Sequence, residues 1–222
     1  MAATTRSEAI AQINDLLPQT QCRLCGYDGC RPYAQALLDG DAEINRCPPG
    51  GQASVNAIAA LLDRKRLPLD PLRGATKPPQ VVVVDEAECI GCAKCLEVCP
   101  VDAIVGARKM MHTVIAEHCT GCELCIPPCP VDCIEVHVSV ANALRWKWPE
   151  PEARERAGAA ARRFEARQKR LAPLVAKVDV SALTALRGDH DRSAEDMRRY
   201  IDEAVQRTRQ KRRSSELDIN LG

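Results

Sequence analysis

Hydrophobic and polar positions follow two rhythms along this chain. Over residues 7–17, SEAIAQINDLL, Ile10, Ile13, Leu16 and Leu17 recur at helical spacing, with Ser7 as N-cap and Pro18 as stop. Residues 32–39, PYAQALLD, predict a short helix that opens on proline at its first position and ends at Gly40. NRCPPGG, 45–51, is turn chemistry, and residues 52–64 predict a third amphipathic helix. RKRLPLDPLRGATKPP, 64–79, then sets four prolines among basic residues, as a linker does. Beyond it the period shortens to that of strands, predicted at 81–84, 103–105, 112–115 and 134–138. Ala- and Arg-rich residues 151–170 predict a helix, charged residues 192–212 another, and the terminal SSELDINLG is predicted to fray.

The strand region contains an internal repeat. CIGCAKCLEVCPVDAIV, 89–105, aligns with CTGCELCIPPCPVDCIE, 119–135, at an offset of 30 residues. Nine of the 17 aligned positions are identical, including four cysteines, the glycine and the run CPVD. Two copies this dense in one reactive residue predict a paired structural unit.

Composition sharpens this picture. Aromatic residues make up 3% of the chain and Phe164 is its single phenylalanine, so the core is thin and needs support beyond burial. Thirteen cysteines far exceed packing needs. Residues 1–20 lack the basic start and apolar run of a signal peptide, and no stretch approaches the roughly 18 apolar residues of a membrane span. The expected setting is therefore a reducing cytoplasm, where clustered cysteines point to metal rather than disulfides.

Both repeat copies read C-x2-C-x2-C-x3-C-P, which resembles the cluster-binding run of bacterial ferredoxins. Three cysteines two residues apart can wrap a tight loop around one face of a cubane. Gly91 and Gly121 are expected to let the backbone come close to inorganic sulfide. The resemblance implies that the fourth cysteine of each run ligates the other cluster. One set is then Cys89, Cys92, Cys95 and Cys129, and the other Cys119, Cys122, Cys125 and Cys99. It also implies a pseudo-twofold unit of two short hairpins and two helices. Zinc, the alternative for paired C-x2-C, does not account for two identical four-cysteine runs ending in CP. Cys133 stands where the first copy has Ala103 and reads as a small buried residue. With no cysteine missing from either run, His112, His118 and His137 are read as surface residues or as lying behind the ligands.

Upstream, CRLCGYDGC supplies Cys22, Cys25 and Cys30, and Cys47 arrives across the second helix. A redox dithiol normally follows a strand, and none precedes this run. Zinc is not excluded by count. A cluster is favoured because the loop Gly-Tyr-Asp-Gly, with Gly26 and Gly29, can drape over a bulky core, and because Cys47 precedes proline as the ferredoxin cysteines do.

The order of these features resembles the B subunit of the Rnf electron transport complex, also called Rsx: a short helix, C-x2-C-G-Y-x-G-C, C-P-P-G-G, a proline-broken linker and two C-x2-C-x2-C-x3-C-P runs. The resemblance covers about residues 7–140. It implies three [4Fe-4S] clusters, the first held by Cys22, Cys25, Cys30 and Cys47, and electron relay in a membrane complex that exchanges electrons between ferredoxin and NAD. The family pattern begins with a hydrophobic anchoring helix that this chain does not show, and residues after about 140 fall outside it. A soluble relative serving another redox enzyme and a redox-sensing regulator are the alternatives.

The expected fold is α+β: a helical four-cysteine domain at 1–64, a linker at 65–80, a two-cluster ferredoxin-like domain at 81–145 and a basic helical extension at 146–222. Charge divides accordingly. Residues 1–150 hold 14 basic and 18 acidic residues, net −4, and residues 151–222 hold 17 and 12, net +5. With acids interspersed, the extension reads as a solvated helix with pairs such as Glu152 with Arg156, not as a nucleic-acid surface. Trp146 and Trp148 are expected to pack it onto the ferredoxin unit. There is no dinucleotide fingerprint, no P-loop and no acid–base pair, so the chain reads as an electron carrier without a substrate site of its own. The expected partners are redox proteins, membrane subunits of an Rnf-like complex among them, met at the cytoplasmic face of the inner membrane.

Overall fold

The computed structural model describes residues 5–138 and 147–176, the side chains of 174–176 excepted. The expected helix at 192–212, the frayed C-terminus and Trp146 lie outside the described residues. Residues 1–171 form one compact unit. It is built on two hydrophobic cores, one in each cysteine-rich region.

Three helices make the first core: α1 (Arg6–Asp15), α2 (Cys30–Asp39) and α3 (Gly51–Leu61). Thr5, not Ser7, caps α1. Its hydroxyl accepts from Glu8 N at 3.3 Å, and the Glu8 carboxylate reaches back to Thr5 N at 2.7 Å. Such a reciprocal box needs an acid three residues after the cap; Thr5 has Glu8, whereas Ser7 has Ile10. α2 begins two residues before Pro32, because Gly29 at φ +153° acts as its cap and draws Cys30 into the helix. Ile13, Leu17, Leu37, Val55 and Ile58 are almost wholly buried where the helices meet. Tyr33 is buried with them, and its hydroxyl donates to Glu43 O at 2.7 Å and accepts from Arg46 N at 3.2 Å. Those two bonds hold the turn that delivers Cys47.

The proline-rich segment is tied down onto this core. Leu67 and Leu69 pack against it, Asn45 and Gln52 donate to the Pro68 and Leu67 carbonyls, and Asp70 N donates to Asn45 O. A short 3-10 turn, Pro71–Arg73, ends it.

The second core has β1 (Val81–Val84), α4 (Lys94–Val98), β2 (Ile104–Val105), β3 (Thr113–Val114) and β4 (Ile134–His137). All four strands lie within the predicted stretches. β1 pairs antiparallel with β4, Val84 opposite Ile134, and β2 with β3, Ile104 opposite Val114. Adding 30 to Val84 and subtracting 30 from Ile134 turns the first pair into the second, so the sequence repeat is a repeat of register. Two expectations are corrected. Only β2–β3 is a hairpin; β1–β4 joins the two ends of the unit, and this closes it. The second copy also forms turns where the first forms α4, because Pro127 and Pro128 stand where Glu97 and Val98 complete the helix.

α5 (Pro151–Ala176) runs on past the predicted end, through Pro173. It is not simply a solvated helix. Ala153, Ala157 and Ala160 form a buried stripe at spacings of four and three, and Ala160 and Phe164 join the second core. Arg156 donates to Cys119 O and Arg167 to Glu97 O, and Arg170 meets both Asp102 oxygens at 2.9 and 2.8 Å. Trp148 packs toward the other core, its indole N–H donating to Ser54 Oγ at 2.9 Å. No described helix is long and apolar enough to cross a membrane.

Candidate iron–sulfur sites

In the first region Cys25, Cys30 and Cys47 are buried and Cys22 is half-buried; none of the thirteen cysteines forms a disulfide. Two buried glutamines set the loop that carries them. Gln21 Oε1 accepts from Cys30 N at 2.8 Å, Gln21 Nε2 donates to Gln19 Oε1 at 2.9 Å, and Gln19 donates to Asn14 O. The four thiols lie within one another's fields. Burial pushes Cys30 up to about 12 and Cys47 well above the ordinary thiol range, and each is raised further by the other members of the set. Three buried thiols, all raised by burial, beside a half-buried fourth form a site that a cationic core stabilises.

In the second region the thiols group across the repeat. Burial pushes Cys122 up to about 11, with Cys99 and Cys119 adding to it, and Cys125 up to about 12, with Cys122, Cys119 and Cys99 adding in that order. Cys99 belongs to the first copy in sequence, yet it stands with the second copy's cysteines. Reciprocally, Cys89 and Cys92 raise Cys95 after burial, and Cys129 lies with Cys133 and Cys89. Backbone donors meet the sulfurs in matched pairs. Val82 N approaches Cys119 Sγ at 3.5 Å, and His112 N, 30 residues on, approaches Cys89 Sγ at 3.4 Å.

The glycines act from the protein side. Gly91 and Gly121 have φ of +68° and +66°, and a Cβ on either would collide with backbone, of Met110 and of Gln80 respectively. At Gly26 a Cβ would meet the Arg73 guanidinium, and at Gly29 it would meet Gln21 and Phe164. A larger residue at these positions therefore displaces the protein packed outside the cysteine loop.

Of the two places expected for His112, at the surface or behind the ligands, it takes the second. It is 1% exposed, and its Nδ1 is 3.5 Å from both Cys89 Sγ and Cys95 Sγ. Extending the repeat alignment seven residues upstream would have set it opposite the buried strand residue Val82. His118 is half-buried and His137 exposed, as expected. Cys133 is buried 3.6 Å from Cys129 Sγ.

The two regions meet. Thr120 Oγ1 donates to Thr20 O at 3.0 Å, and a cleft of about 820 Å³ beside this contact is lined by Cys22 and Pro48 on one side and Cys122 on the other. Arg156 and Trp148 line it too.

Two thiol sets that cross-link a pseudo-twofold unit define an iron–sulfur protein of the two-cluster ferredoxin class. The family described as "4Fe-4S dicluster domain" matches residues 82–136, and "Putative Fe-S cluster" matches residues 17–49. The chain is 60% identical over 143 residues to the B subunit of the ion-translocating oxidoreductase complex of Pseudomonas aeruginosa strain UCBPP-PA14, covering 64% of this chain and 74% of that one. To the proteins of the same name from Stutzerimonas stutzeri and Alkalilimnicola ehrlichii it is 61% identical over 140 residues and 59% over 142. These matches cover 63% and 64% of this chain and 72% and 76% of those. The chain belongs to the family formed by the B subunits of ion-translocating oxidoreductase complexes. No solved structure matches it significantly.

Proposed function

We propose that the chain relays single electrons through three [4Fe-4S] clusters as the B-type subunit of an Rnf/Rsx-type complex. Cys22, Cys25, Cys30 and Cys47 hold the first, Cys89, Cys92, Cys95 and Cys129 the second, and Cys119, Cys122, Cys125 and Cys99 the third. The nearness of Cys99 to Cys122 and Cys125, which cross-ligation requires, supports this reading. The domains are those of the sequence division, 1–64 and 81–145, with 65–80 between them. The other subunits of the complex are its redox partners, reached at the cytoplasmic face of the membrane.

When bound, each cluster supplies a one-electron couple. The protein's part is to hold it in a largely water-excluded pocket, place N–H donors on the ligand sulfurs, and bring one thiol set near the next. Anaerobic reconstitution, with iron, sulfide and zinc measured per chain, is the test. Three cubanes require about twelve iron and twelve sulfide. Eight iron and one zinc per chain would make the first site structural and overturn the three-cluster relay.

A further inference from the structure

The repeat supplies an internal comparison between the two ferredoxin sets. At two equivalent positions the backbone geometry is shared and the side chain is not. Beside Cys119 stands Val82, an alkyl group. Beside Cys89 stands His112, whose Nδ1 lies 3.5 Å from two ligand sulfurs. Ala103, with its N–H 3.2 Å from Cys99 Sγ, is replaced in the second copy by Cys133, whose sulfur lies 3.6 Å from Cys129 Sγ. A ligating thiolate only accepts, so the hydrogen in each contact belongs to His112 Nδ1 and to Cys133 Sγ. Among the described residues His112 Nε2 is buried without a partner, consistent with the ring hydrogen on Nδ1.

We infer that His112 and Cys133 set the reduction potential of the cluster held by Cys89, Cys92, Cys95 and Cys129, raising it through side-chain hydrogen bonds to the ligand sulfurs from two positions that Val82 and Ala103 fill at the other ferredoxin cluster. This rests on the cluster assignment proposed above. The physical reason is that an added electron spreads onto the sulfurs, so donors aimed at them stabilise the reduced state more than the oxidised one. Neither residue is a ligand; both are positioning residues. Val82 and Ala103 show that the same fold accepts the alkyl version at both places. Arg156 lies at the other set, its guanidinium donating to the Cys119 carbonyl.

The test is a redox titration of the full reconstituted chain, each cluster followed by electron paramagnetic resonance, for His112→Val, His112→Asn and Cys133→Ala. His112→Val and Cys133→Ala are each expected to move one ferredoxin wave, the same one, to lower potential. The expected size is about tenfold in the oxidised-to-reduced ratio, about 59 mV for a one-electron couple. Asparagine can place an amide N–H where Nδ1 stood, so His112→Asn is expected to stay near the parent. Unmoved waves in fully loaded His112→Val and Cys133→Ala would overturn the inference, as would His112→Asn shifting as far as His112→Val. If His112→Val does not hold its iron, Cys133→Ala decides: an unmoved wave overturns the inference and a lowered one upholds it. Iron and sulfide on the parent protein separate the two failures. Fewer than two cubanes in the ferredoxin unit would remove the assignment; full loading with unmoved potentials would remove only the tuning.

Discussion

At the scale of single residues, the first cluster site depends on delivering one distant thiol. Cys22, Cys25 and Cys30 come from one loop, and Cys47 comes from a turn held by the buried Tyr33 hydroxyl. Cys47 packs in the first core, apart from the ferredoxin thiols. Cys47→Ala is therefore expected to lose about four of the twelve iron atoms and leave the ferredoxin pair loaded. Iron analysis with the residual paramagnetic signals checks this, and loss of all clusters together would contradict the separation of the two cores. The cysteine spacings were legible without a structure. Tyr33, Gln19 and Gln21 were not, because each acts through a partner that chain folding brings from elsewhere.

At the scale of elements, helix periodicity and strand alternation placed α1, α2, α3 and the four strands, and the end of α2 at Gly40, missing both N-caps and the turns of the second copy. Caps depend on which side chain faces a free N–H, and the prolines at 127 and 128 override the repeat. α5 shows the larger difference. Its arginine-rich sequence reads as solvated, yet Ala160 and Phe164 seat it on the ferredoxin core and three arginines reach across to Cys119, Glu97 and Asp102. The Arg170–Asp102 pair is half-exposed and contributes at most about 1 kcal/mol. The buried alanines matter more. Ala160→Glu would place a charge in the second core at 4% exposure and should cost several kcal/mol, on the order of 3 or more, releasing the helix. Limited proteolysis across 151–176 should then cut the variant while the parent resists. Equal resistance would show that the alanine face is not what holds α5.

At the scale of the whole molecule, the order of the clusters follows from the cleft. Cys22 of the first set and Cys122 of the third line it together, and Thr120 bonds Thr20 beside it. An electron passing between the helical region and the ferredoxin pair is therefore expected to enter the pair at the set of Cys119, Cys122, Cys125 and Cys99. Cys125→Ala should slow transfer between the first set and the Cys89 set, measured by freeze-quenched paramagnetic resonance after rapid reduction; an unchanged rate would place the junction elsewhere. What the sequence determined by itself was local and countable: thirteen cysteines, their spacings, the 30-residue repeat, and the strands and helices whose periods it writes. These survive any arrangement of the elements, because ligand spacing and residue periodicity are properties of neighbouring positions. The tertiary structure alone decided which thiols face one another, where α5 lies, and that the two copies of the repeat have unlike surroundings. Those outcomes depend on groups far apart in the chain, such as His112 on Cys89 or Arg156 on Cys119, and their meeting is fixed by packing rather than by any pattern along the sequence.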